Sequence, residues 1–207
     1  MLKFLLALLI VMPSLSIASE DEGLYPDAPP VNAAFVRVIN QSGAVMNDAS
    51  LSGISLGDVD AMTVTEYAVL TEGESEIKLG DKTLNHTLVA GDYYTVASKG
   101  DTLIILGDQK VENPTKALIA VYNLSDIENI SFVSTTHNAD IFKDVVSGTS
   151  NARDINAVSI GVGIKNDDVV VAEISDVKLE RQVATSIFIV GENDNYDVII
   201  KNNKALK

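Results

Sequence analysis

Ala34-Phe35-Val36-Arg37-Val38-Ile39-Asn40 and Ala117-Leu118-Ile119-Ala120-Val121-Tyr122-Asn123 are the two stretches that decide how this chain folds. Each opens with Ala, runs through apolar, largely β-branched residues and breaks at Asn. Each Asn is followed two places on by Ser, at Ser42 and Ser125. Such residues suit a pleated, buried surface. Similar runs fill the first half: Met62–Leu70, Glu76–Leu79, Thr83–Val89, Tyr93–Ala97 and Thr102–Leu106. The second half offers Ser159–Ile164, Val169–Ile174, Thr185–Val190 and Tyr196–Ile200. Gly, Asp and Asn punctuate them, and no long stretch holds a 3.6-residue period between helix caps. The pattern predicts an all-β protein of two tandem, duplicated, β-sandwich-like domains, 33–109 and 117–207. Residues 110–116 (KVENPTK) read as the linker, because Pro114 cannot donate to a ladder. His137–Asn156 is the least strand-like part. There Asp140–Val146 predicts a short helical turn and Ser147–Asn151 a loop.

Outside these domains the chain begins with an address. Lys3 precedes the apolar run Phe4–Met12 (FLLALLIVM), and Ser16-Ile17-Ala18 places small residues before a cleavage point. This predicts a signal peptide over 1–18, cut between Ala18 and Ser19. The apolar run is about half the roughly 20 residues needed to span a bilayer, so no membrane-crossing segment is expected in the mature chain. Residues 19–32 (SEDEGLYPDAPPVN) form a leader in which Pro26, Pro29 and Pro30 favour extended structure. Leu24 and Tyr25 are its apolar pair, expected either to pack on the first domain or to contact a partner. The signal, on a chain without Cys, predicts an exported protein of a Gram-negative periplasm.

Composition then removes whole classes of function. The 207 residues contain no Cys and no Trp, and Lys+Arg 15 against Asp+Glu 29 gives a formal charge of −14. Loss of Lys3 with the signal makes it −15. A chain so acidic opposes nucleic acid and anionic membrane surfaces, both of which need a positive field. Without Cys there are no disulfides, thiolate nucleophiles or Cys-held metals. The sequons at Asn40, Asn85, Asn123 and Asn129 are no more than this Asn-, Ser- and Thr-rich composition gives by chance.

Catalytic patterns fail in turn. His86 and His137 are the only histidines, and a Ser-His-Asp triad would need one as base. The G-x-S-x-G elbow is absent. Gly100-Asp101-Thr102 approaches the Gly-Asp-Ser block of SGNH-type esterases, but Thr replaces Ser and the position reads as a type I′ hairpin turn. Neither His has an Asp three residues before it. Asn193-x-Asn195-x-Asp197 alternates oxygen ligands but lacks the Gly and Glu of an EF-hand loop. No catalytic residue, cofactor or metal site is therefore expected. Arg37 is conspicuous as a charge amid apolar residues. It is expected to face solvent on the outer side of an alternating strand, or to pair with a nearby Asp. It is also the first residue to consider for partner docking.

The leader with Leu24-Tyr25-Pro26, the strand Ala34–Asn40 and the block Ala90-Gly91-Asp92-Tyr93-Tyr94-Thr95-Val96 together resemble the AlgF family of periplasmic alginate O-acetylation proteins. The resemblance is strongest over Leu24–Leu106. It implies a role in O-acetylating an exopolysaccharide, beside a membrane acyltransferase and periplasmic SGNH-type acetyltransferases as partners. It carries over no catalytic motif. Alginate is a polyanion, so the acidic chain is expected to bind it weakly or not at all and to contact the transferases instead. The expected function is a non-catalytic adaptor. The alternatives are a covalent acetyl carrier in the same pathway and an unrelated exported binding or adhesin module.

Overall fold

The computed structural model describes residues 28–204. The signal peptide, its cleavage pair Ala18 and Ser19, and the leader residues Leu24 and Tyr25 lie outside the described residues. Seventeen strands are present among them. Nine belong to the first half: β1 (Ala33–Asn40), β2 (Met46–Leu51), β3 (Ile54–Val59), β4 (Thr63–Val64), β5 (Ala68–Thr71), β6 (Gly73–Leu79), β7 (Lys82–Leu88), β8 (Tyr93–Lys99) and β9 (Thr102–Asp108). Eight follow: β10 (Ala117–Ser125), β11 (Asn129–Ser134), β12 (Ala139–Val146), β13 (Thr149–Ile155), β14 (Ser159–Asn166), β15 (Val169–Lys178), β16 (Val183–Glu192) and β17 (Asn195–Lys204).

The two halves share one topology. In the first, β4 and β5 flank one side of β1, with β8 and then β9 on the other; the facing sheet runs β3-β2-β6-β7. In the second the orders are β13-β10-β16-β17 and β12-β11-β14-β15. The central pairs β1–β8 and β10–β16 are parallel, and the remaining pairs are antiparallel. Replacing β1 by β10, β8 by β16 and so on reproduces one half from the other. The fold is thus two tandem all-β units, duplicated as the Ala34 and Ala117 strands predict.

Alternation along β1 and β10 explains how the halves meet. Ala34, Val36 and Val38 face inward onto Leu51, Ile77, Leu79 and Leu88 of the opposite sheet. Ala117, Ile119 and Val121 do the same onto Ile130, Phe132, Ile160 and Val162. Yet every residue of both strands is buried. The other face is covered because the two inner sheets pack on each other. Ile39, Val64 and Ala97 of the first half join Ala120, Tyr122, Leu124, Phe188, Val190 and Ile199 of the second in a third core. The molecule is therefore four β layers deep. β9 lies beside β13 and β4 beside β17, contacts that the duplication maps onto each other. The halves are related by an internal two-fold.

The structure corrects several expectations. Residues 139–155 are strands β12 and β13, not a helical turn and loop. Ile130 pairs with Val145 and Phe132 with Phe142, a bulge in which Asp144 has φ 51°. The extra residue breaks the two-residue alternation and disguises the strand. Met62–Leu70 is not one strand but two, interrupted at Thr65-Glu66-Tyr67. β2 and β3 are polar strands the sequence did not announce. The Gly100-Asp101 turn joins β8 to β9 with positive φ at Gly100 alone, the pattern of type II′ rather than I′. Asn193 and Asp194, both at positive φ, form the I′ turn between β16 and β17.

Candidate functional site

The repeated Asn does the same local work twice. Asn40 Nδ2 donates to the carbonyls of Ala44 and Val59, and Asn123 Nδ2 to those of Ile127 and Val145. Both Oδ1 atoms accept from the N–H and hydroxyl of the Ser two places on. Each Asn closes the turn out of its central strand. Both are fully buried, so neither sequon is open to a glycan.

Arg37 departs from that symmetry. It occupies the position of Ala120 on a strand buried on both faces and is 1% exposed. It does not face solvent, because the solvent side of β1 is taken by the second half. Its Nε donates to Thr95 Oγ1 at 2.8 Å and its Nη1 to Asn203 Oδ1 at 2.7 Å. Its Nη2 donates to Tyr122 Oη at 2.9 Å and Ser186 Oγ at 3.0 Å, and lies 3.4 Å from Asp108 Oδ2. The guanidinium also stands 4.8, 5.6 and 5.3 Å from the ring centres of Tyr67, Tyr122 and Phe188. The expected Asp partner exists, but it comes from β9, far along the chain rather than nearby.

Register shows where these partners come from. Arg37 pairs with Thr95 and Ala120 with Ser186; Tyr93 pairs with Asp108 and Ala184 with Asn203. Thr95 and Ser186 are therefore equivalent positions, as are Asp108 and Asn203. One guanidinium sits at the internal two-fold and collects the equivalent groups of both halves. Ala120, its counterpart, leaves the room.

Asp108 completes the cluster. Its Oδ2 accepts from Thr95 and Tyr67 at 2.6 and 2.7 Å, and its Oδ1 from Tyr122 at 2.8 Å. Burial, and then the neighbouring Asp108 carboxylate, push the phenols of Tyr67 and Tyr122 well above their ordinary value of 10. Burial disfavours the Arg37 cation, but Tyr122 and Asp108 outweigh it and the net direction is upward. At the rim, Glu66 takes bonds from Lys201 and Asn203. The interruption between β4 and β5 is what frees Tyr67 to reach Asp108. The sequence singled out Arg37 but gave no sign of Asp108, Tyr67, Tyr122, Ser186 or Asn203.

The histidines take no part. His86 packs edge-on against Tyr94, and the exposed His137 lies in the β11–β12 turn. His137 lines an apolar cleft of about 400 Å³ with Ile141, Arg153 and Val158. Among the described residues neither imidazole is hydrogen-bonded to a Ser or an Asp. Asn193, Asn195 and Asp197 belong to the β16–β17 hairpin, and among the described residues no three His, Cys, Asp or Glu side chains gather to hold an ion. No helix among them is long and apolar enough to cross a membrane.

The model of one protein family, described as alginate O-acetyl transferase AlgF, matches residues 7–186, most of the chain. The chain belongs to the AlgF family. An AlgF relative from Pseudomonas fluorescens, named alginate biosynthesis protein AlgF, is 28% identical over 184 residues, which cover 88% of this chain and 83% of that one. Solved structures of the two AlgF domains from P. aeruginosa are also similar. The N-terminal domain is 26% identical with a TM-score of 0.35, covering 39% of this chain and 98% of that one. The C-terminal domain is 22% identical with a TM-score of 0.39, covering 43% and 99%.

Proposed function

We propose that this chain is a non-catalytic periplasmic adaptor for the O-acetylation of alginate, docking the SGNH-type acetyltransferases and the membrane acyltransferase that supplies them. Family membership supports the pathway. The observation that carries the adaptor role is the use of the buried polar cluster around Arg37. Arg37, Asp108, Tyr122 and Ser186 spend their hydrogen bonds on one another between the two halves. Side chains this deeply buried and bonded to one another serve to hold the two halves together. The formal charge of −14 opposes tight binding of a polyanionic polymer and suits partners with basic surfaces.

The test is co-purification of the mature chain with each transferase, run beside binding to polymannuronate. The adaptor reading expects transferase capture and little or no polymer binding. Polymer binding without transferase capture overturns it. Mass spectrometry after incubation with an acyl donor and the membrane acyltransferase checks the acetyl-carrier alternative. An added acetyl group on a Ser or Thr would replace the adaptor with a carrier.

A further inference from the structure

We infer that the two halves form one rigid body, docked through a self-complementary interface whose orientation Arg37 selects, so that partners meet only the outer sheets and the rims. Apolar packing alone does not fix orientation. Ile39, Ala97, Ala120, Phe188 and their neighbours would tolerate sliding of one inner sheet over the other, because apolar contact is non-directional. The guanidinium does not tolerate it. Its N–H donors have fixed directions, and four hydrogen bonds and one ion pair meet it from both halves: Thr95 and Asp108 on one side, Tyr122, Ser186 and Asn203 on the other. A shift by one residue would leave a buried charge without partners. Equivalent positions face each other across a two-fold, as in an isologous dimer, and Arg37 opposite Ala120 is what makes that interface fit one way only.

The consequence is geometric. β1 and β10 are buried along their whole length and β8 and β16 along all but their ends, so the inner sheets offer little to a partner. The sheets β3-β2-β6-β7 and β12-β11-β14-β15 become the two outward faces. With about 10 Å between packed sheets, they stand roughly 30 Å apart and point in opposite directions. A rigid block with two related, opposed faces is suited to hold two partners at a fixed separation.

Because the chain has no Cys, spin labels can be placed without background. Asn85→Cys on β7 and Glu173→Cys on β15, both exposed and on opposite outer sheets, report the distance between the faces by pulsed electron resonance. The full chain is expected to give one narrow distance distribution. Arg37→Ala is expected to give a distribution at least twice as wide. Tyr122→Phe/Ser186→Ala/Asn203→Ala, which removes the second half's bonds to Arg37 and leaves the Arg37–Asp108 pair intact inside the first half, is expected to broaden it as well and keeps the test valid if Arg37→Ala does not fold. A broad distribution in the unmutated chain overturns the inference. So does a distribution that stays equally narrow in the triple variant.

Discussion

Arg37 is a buried charge that bonds Thr95, Tyr122, Ser186 and Asn203 and faces the Asp108 carboxylate. Removing one member of such a pair leaves the other uncompensated, which costs about 3–5 kcal/mol. Arg37→Ala is therefore expected to lower unfolding free energy by about that much, measured by urea titration. Arg37→Lys should recover only part of it, because an ammonium cannot reach acceptors in five directions. The phenols around it predict a response to alkali. Tyr67 and Tyr122 hold their protons in the folded state above pH 10, where an unfolded chain would release them. Folding then binds more protons than unfolding, so stability is level below pH 10 and falls as pH rises beyond it. Urea midpoints at pH 8 and pH 11 should show the drop, and Tyr67→Phe should make it shallower. Equal slopes for the two proteins would remove Tyr67 from the cause. The sequence marks Arg37 as anomalous but not how it is satisfied, since its partners lie 58 to 166 residues away.

At the scale of elements, the two central strands end on the same device. Asn40 and Asn123 are fully buried and donate to the carbonyls of the buried Val59 and Val145. An unsatisfied buried polar group costs about 1–3 kcal/mol. Asn40→Ala and Asn123→Ala should each lose about 2–3 kcal/mol by chemical denaturation, and by similar amounts. A second device is steric. Gly161 lies on β14 directly beneath Thr135, and a Cβ there would sit 2.2 Å from Thr135 Oγ1. Gly161→Ala should cost about 1–3 kcal/mol through overpacking, and Thr135→Ala should restore most of it. Failure of that second change to restore stability would locate the strain elsewhere. The strands themselves were readable where β-branched residues alternate. They were hidden where bulges break the period, as in β12, or where the strand is mostly polar, as in β2 and β3.

For the whole molecule, the shared core predicts cooperative behaviour. Each inner sheet buries its second face only against the other half, so neither half keeps that surface dry alone. Thermal unfolding followed by circular dichroism and by Tyr fluorescence should trace one transition. Arg37→Ala should separate it into two, as the halves uncouple while their own cores persist. Two transitions already present in the unmutated chain would show that the halves are independent.

The all-β class, the duplication and the acidic character are legible in the order of residues alone, because alternation, turn residues and charge are local properties. The AFVRVIN strand, with Leu24-Tyr25-Pro26 and Ala90–Val96, also carried the family resemblance. Folding in three dimensions adds that both strands are buried on both faces, that the halves meet through their inner sheets, and that Arg37 sits between them. Those facts depend on which apolar face finds which partner and on side chains converging from five strands and a loop. No linear pattern records such a convergence, so the residue that looked like an outward docking point lies sealed inside.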